Sequence, residues 1–197
     1  KFEENNELES AANYSKIISK EVERLEKLLK NILSFSKSGA LEAEPCQINK
    51  LVEETLYLFK SGLYEKNINL VSQLEADLPL LDLDPQKIKQ VLINLIYNGL
   101  ESLPLGGQLK IETYQEEYAQ KQKMVTVRIE DNGGGIDKEI FENIFNPFFT
   151  TKHTGTGLGL SICKKIIESH GGTIRLKNHI GQGVTVYLHL PLQMRPD

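Results

Sequence analysis

Apolar positions recur every three or four residues through the first stretch of the chain. Ile18, Val22, Leu25, Leu29 and Ile32 follow a 4-3-4-3 spacing, the seam of a coiled coil or helical bundle. Ile17, Leu28 and Phe35 widen that stripe, which suits a bundle better than a strict two-stranded coil. The pattern predicts one helix over 11–36, ended at Ser38-Gly39 and in need of partner helices. Residues 39–46 read as a linker closing with Pro45.

Beyond the linker the periodicity changes several times. Ile48, Leu51, Val52, Thr55, Leu56 and Phe59 mark a second helix, and the alternation of Ile68, Leu70, Ser72 and Leu74 marks a strand. Asp84-Pro85 is a helix start, with Asp84 as N-cap and Pro85 in the first turn. That helix is expected to run to about Leu103, before Pro104 and Gly106-Gly107. Strands are predicted at 108–116 and 124–131, joined by a polar loop around Gln120. A short helix at 137–144, a loop at 145–156 and a helix at 157–169 follow, the last capped by Gly171-Gly172. Strands at 173–178 and 183–190 close the chain. This order predicts an α+β fold, one mixed sheet covered on one face by helices.

Bulk composition narrows the function classes. The chain has 197 residues, 40% of them apolar and 25% charged, with a net charge of −4. It has no basic tract of the kind that binds nucleic acid, so a phosphate ligand would be held locally, by backbone dipoles and a metal ion. No apolar run approaches the roughly 18 residues of a membrane span, and no export signal is evident. Cys46 and Cys163 are far apart and read as reduced thiols of a cytoplasmic protein or of the cytosolic part of a membrane-anchored sensor.

The candidate chemistry is concentrated in three stretches. Helix 85–103 is apolar on most of its circumference but carries a polar stripe of Gln90, Asn94, Asn98 and Glu101. Asn94 and Asn98 share a face, and their amide oxygens are hard ligands suited to Mg2+; for the stripe alone, a solvated helix face is the plainer reading. Asp131 ends an apolar strand and precedes Gly133-Gly134-Gly135. A carboxylate there can accept from an exocyclic amine such as adenine's, and glycines admit a ring close to the backbone; an Asp-Asn-Gly turn explains the motif equally well. GTGLGL at 155–160 is denser in glycine than a turn requires. It is neither a dinucleotide fingerprint nor a P-loop, yet the helix it opens can receive phosphates at its N-terminus. Lys152 lies close enough in sequence to reach a terminal phosphate. Phe141, Phe145, Phe148 and Phe149 sit in or beside the loop, which has the length of a lid, and core packing accounts for at least two of them. His153, His170, His179 and His189 form no zinc motif. His170 precedes a helix C-terminus, where a partly charged imidazole is favourable.

Together these motifs resemble the ATP-binding domain of sensor histidine kinases and the wider gyrase/Hsp90/MutL ATPase superfamily. NLIYNGLES at 94–102 looks like the N box, and DNGGGI at 131–136 like the first glycine box. FENIFNPFFTTK at 141–152 resembles the F box and lid, GTGLGL at 155–160 the second glycine box, and GQGVTVYLHLP at 181–191 the closing strand. The short lid followed by TTKHTGTGLGL is most similar to nitrogen-regulation-type kinases. The resemblance implies a two-layer α/β sandwich over 47–197, with ATP between helix 85–103 and the lid. It implies Asn98 as Mg2+ ligand, assisted by Asn94, and Asp131 reading the adenine amine beside Gly133, Gly135 and Ile136. The stretch Gly155, Thr156, Gly157, Leu158, Gly159 and Leu160 would hold phosphates together with Lys152, and Thr185 would support the adenine through a water.

ATPase branches of the superfamily place a glutamate general base one turn before the metal-binding asparagine. Here that position is Asn94, which cannot take a proton, so the resemblance implies phosphoryl transfer to an acceptor over hydrolysis. Helix 11–36 resembles the second helix of the dimerisation and histidine-phosphotransfer region, giving a unit at 1–38. No histidine precedes His153, so these residues include no acceptor box and are expected to depend on an acceptor-histidine helix elsewhere. The implied partners are ATP, that helix, a response-regulator receiver domain and a second copy in a homodimer. A conformational ATPase, or an interaction module with a decayed site, is the alternative.

Overall fold

The computed structural model describes residues 40–118, 122–152 and 155–192, together with nine positions between 14 and 29. Those nine positions, which include Ile18, Val22, Leu25 and Leu29, are helical, and these four seam residues are half or more exposed. The widening positions Ile17, Leu28 and Phe35, the seam residue Ile32, the loop at Gln120 and His153 lie outside the described residues.

Strand β1 (Glu44–Cys46) occupies the last residues of the expected linker and pairs antiparallel with β3 (Leu81–Leu83) in a two-stranded sheet. Three-residue strands leave too short a period to read from sequence. Between them lie α1 (Ile48–Leu58), α2 (Lys60–Glu65) and β2 (Asn69–Leu74). Helix α3 (Pro85–Ser102) begins as predicted, with the Asp84 carboxylate accepting from the Lys87 N–H at 3.1 Å. At its other end Lys66 Nζ donates to the Leu100 carbonyl at 2.9 Å.

The main sheet has five strands in the order β2-β4-β5-β7-β6. Its further members are β4 (Gln108–Tyr118), β5 (Gln122–Asp131), β6 (Thr173–His179) and β7 (Gly183–Pro191). Strands β2 and β4 are parallel and the other pairings antiparallel, so the sheet is mixed, as expected. Helix α4 (Lys138–Phe141) is a single turn, shorter than predicted, and α5 (Gly159–Ser169) follows the loop. Helix α3 packs over β5 and β7, α5 over β6, and the two helices against each other.

The core lies between these layers. Ile88, Val91, Leu92, Leu95 and Ile96 of α3 meet Val125, Val127 and Ile129 of β5 and Val186, Leu188 and Leu190 of β7. None of the four loop phenylalanines belongs to that core; Phe148 is 64% exposed, so the expectation of core packing for two of them is not met.

Candidate functional site

Helix α3 organises the site because its polar stripe faces three different elements in turn. Asn94, Asn98 and Ser102 stand four residues apart and therefore on one side of the helix. Asn94 lies beside the start of α5: a Cβ at Gly159 would come within 4.0 Å of the Asn94 amide carbon. Asn94 also hydrogen-bonds the fully buried Cys163 thiol, whose pKa burial pushes up to about 12. Asn98 meets the lid, its Oδ1 accepting from Lys152 Nζ at 3.5 Å. The same ammonium is ion-paired with Glu101. Ser102 donates to the Gly99 carbonyl at 2.8 Å and lies against the Asp131 carboxylate.

Asp131, at the end of β5, is only 8% exposed. Burial raises its pKa; opposing hydrogen bonds come from the Gly133 amide, the Ser102 side chain and the Val184 backbone. The Gly133 N–H donates to Asp131 Oδ1 at 2.9 Å. A Cβ at Gly133 would sit 2.7 Å from the Ser102 carbonyl oxygen and 2.9 Å from Asp131 Oδ1, so a side chain there would fill the space beside the carboxylate. Gly135 has φ +75° and its Cβ would meet the His179 carbonyl oxygen at 2.7 Å. Conformation and space both demand glycine at that position.

The second glycine stretch reaches α5 through a tight turn. Gly157 has φ +68° and lies against the backbone of Phe148, which itself has a positive φ of 67°. The Leu158 N–H is held by Thr156 Oγ1 at 3.3 Å, and α5 begins at Gly159 without a side-chain cap. A helix N-terminus of this kind can receive an anion. Leu158 is fully buried in the core, so that residue contributes backbone to the turn and side chain to the packing.

The chain matches the family model described as histidine kinase-, DNA gyrase B-, and HSP90-like ATPase over residues 83–194. It belongs to this ATPase family. Among its relatives, AtoS of Escherichia coli (strain K12), a signal transduction histidine-protein kinase, is 36% identical over 91% of this chain and 29% of AtoS. The catalytic domain of histidine kinase ThkA, in a nucleotide-free form, matches at 38% identity and a TM-score of 0.69, covering 78% of this chain and 97% of that domain. ThkA in complex with the response regulator protein TrrA matches at 37% identity and a TM-score of 0.74, over 91% of this chain and 50% of that one. The chain thus spans about three tenths of AtoS.

The structure sets Thr185 on the face of β7 opposite to Asp131. Strand alternation puts Val184, Val186, Leu188 and Leu190 on the helix side. Thr185 pairs with Glu130 and Lys177 on the opposite face, whereas Asp131 is one residue further along β5 and faces α3. The position of β7 nearest Asp131 is Val184, whose backbone is bonded to the carboxylate. A one-residue offset in a strand exchanges the two faces.

Sequence reasoning also missed Ser102 and Asn178. Ser102 continues the four-residue spacing of Asn94 and Asn98, a signal that was present in the stripe. Asn178 gave none: it lies 42 residues from Ile136 in sequence, yet its Nδ2 donates to the Ile136 carbonyl at 2.6 Å and its Oδ1 accepts from the Ile136 N–H at 2.8 Å.

His170 differs from its expected partly charged state. It is completely buried; its Nε2 accepts the Asp84 N–H at 3.0 Å, and its Nδ1 lies 2.7 Å from the Ile166 carbonyl. That arrangement requires a proton on Nδ1 only, the neutral ring, and burial lowers its pKa accordingly.

Proposed function

We propose that this chain binds Mg-ATP between α3 and the loop 142–158 and serves as the catalytic part of a protein-histidine kinase. One observation carries the proposal: a single stripe of α3 faces the α5 N-terminus through Asn94, the lid lysine through Asn98, and the buried Asp131 through Ser102. Those are the three recognition needs of a nucleotide: phosphates, a cation bridge and a base. The donor set suits a hard dication. Asn98 Oδ1 and the Glu101 carboxylate already hold the ammonium of Lys152, a protein cation at that place. Two amide oxygens would leave most of the coordination of Mg2+ to phosphate oxygens and waters, as that ion prefers.

In this reading a Mg2+ ion, when bound, would neutralise phosphate charge, and the chain's own groups position the nucleotide. Asp131 accepts the adenine amine beside Gly133, Gly135 and Ile136. Asn98 would hold the Mg2+ with help from Asn94. The turn Gly155, Thr156, Gly157, Leu158, Gly159 and Leu160 cradles the phosphates, with Lys152 exchanging Glu101 for the terminal phosphate. The γ-phosphoryl would pass to an acceptor imidazole: a P–N bond forms, the P–O bond to ADP breaks, and the imidazole N–H proton passes to solvent water. Asn94 cannot act as a general base toward water, which favours transfer over hydrolysis. Residues 1–38 would be the second helix of a dimerisation and phosphotransfer region in a homodimer, with relay onward to a response-regulator receiver domain. The relatives named as histidine kinases support this, as does the likeness to ThkA in complex with TrrA.

Differential scanning fluorimetry tests the binding step. Mg-ATP or a nonhydrolysable analogue raises the melting temperature, and Asp131→Asn removes that rise. An unmodified chain that does not respond would sink the reading. Supplying a fragment that bears an acceptor histidine yields an acid-labile phosphoprotein, whereas fast phosphate release without acceptor would favour the conformational ATPase.

A further inference from the structure

The first glycine loop is anchored at its near end by its own motif, through Asp131 and the Gly133 amide. Its far end is anchored from another part of the chain. Asn178, the penultimate residue of β6, brackets Ile136 by accepting from its N–H and donating to its carbonyl. One side-chain amide thus imitates a strand neighbour, satisfying both polar groups of a loop residue that pairs with no strand. The adjacent turn adds a backbone bond, Gly181 N–H to the Gly134 carbonyl at 2.8 Å. Gly135 is enclosed between these two fasteners: its Cβ would lie 3.1 Å from Asn178 Oδ1 and 3.0 Å from the Ile180 Cα.

We infer that Asn178 is a positioning residue of the nucleotide site, holding Gly135 and Ile136 in the conformation that accepts the base. The inference rests on the nucleotide reading above and adds to it a residue from outside every motif. Asn178 touches no ligand in this scheme. It acts through Ile136, by keeping the loop preorganised so that binding does not have to order it. Cutting the amide frees the backbone of Gly135, which glycine lets wander, while the loop's near end stays tied to Asp131. Because the β6–β7 hairpin keeps its own ladder from Thr173↔His189 to His179↔Gly183, the sheet does not depend on Asn178.

The test measures nucleotide affinity of the whole chain with a fluorescent ADP analogue, beside its melting temperature. Binding by the unmodified chain establishes the underlying reading first, so a failure there is separable from a failure of the inference. Asn178→Ala then weakens binding about tenfold or more, with little change in melting temperature, and shifts the Ile136 and Gly181 amide resonances. Asn178→Asp keeps the acceptor for the Ile136 N–H and loses the donor, so it recovers part of the affinity. Unchanged affinity in Asn178→Ala overturns the inference. So does a fall in melting temperature with no loss of affinity, which would make Asn178 a hairpin residue only. If Asn178→Ala does not fold, the near-isosteric Asn178→Asp decides alone: affinity equal to that of the unmodified chain refutes the role, and weaker binding by a folded variant sustains it.

Discussion

Asp131 sets a cost against a use. Its carboxyl is raised above its ordinary value of 3.8 by burial, so the folded state binds a proton that the unfolded state has already released. Stability at this residue is therefore present below pH 3.8 and lost as pH rises through the folded pKa. Asp131→Asn is expected to flatten that acidic slope in chemical denaturation while abolishing the nucleotide response. His170 has the opposite sign. Its folded pKa lies below 6.5, so its contribution is full above pH 6.5 and lost as pH falls below it. His189 acts in the same direction, its pKa lowered by burial despite the nearby Glu116. Denaturation midpoints measured from pH 7.5 to pH 5.5 should fall, and His170→Gln, which does not titrate, should reduce the fall without removing it. The Asp131 motif was legible because one of its partners, the Gly133 amide, is also its neighbour in sequence, whereas Ser102 and Val184 reach it from other elements. The neutral state of His170 was not, since its deciding partner, Asp84, is 86 residues away.

Elements inherit their edges from single groups. Helix α3 starts where Asp84 caps it, and the same carboxylate accepts the Glu42 N–H at 3.3 Å. Asp84→Ala should cost about 1–2 kcal/mol or more, read as a lower midpoint in urea at unchanged m-value. The turn into α5 depends on Gly157 at φ +68° against the Phe148 backbone. Gly157→Ala adds left-handed strain of about 1–2 kcal/mol as well as a steric conflict, so it should weaken nucleotide binding more than it lowers the melting temperature. The long elements were readable because their period repeats over ten or more residues. Strands β1 and β3, three residues each, became strands only by meeting one another.

At the scale of the molecule, the sheet separates two chemistries. Its helix side carries the core and Asp131; its open side carries Arg128 between Glu112 and Glu130, with Tyr187 stacked on His189. Thr185 belongs to the open side. Thr185→Val should leave nucleotide affinity within about twofold in the same fluorescence titration, whereas a large loss would put this residue in the site after all.

Local order along the chain was enough to mark helices α1, α3 and α5, the longer strands, the asparagine stripe and both glycine turns, because each rests on neighbours a few positions apart, whereas the short helix α2 (Lys60–Glu65) gave no such signal. Tertiary structure alone decided which face of β7 looks toward Asp131, that Lys152 crosses to Asn98 and Glu101, that His170 is neutral, and that Asn178 braces the glycine loop. Those outcomes depend on strand register and on contacts across the fold, and the pattern of residue types within one segment carries no information about what the rest of the chain will place beside it.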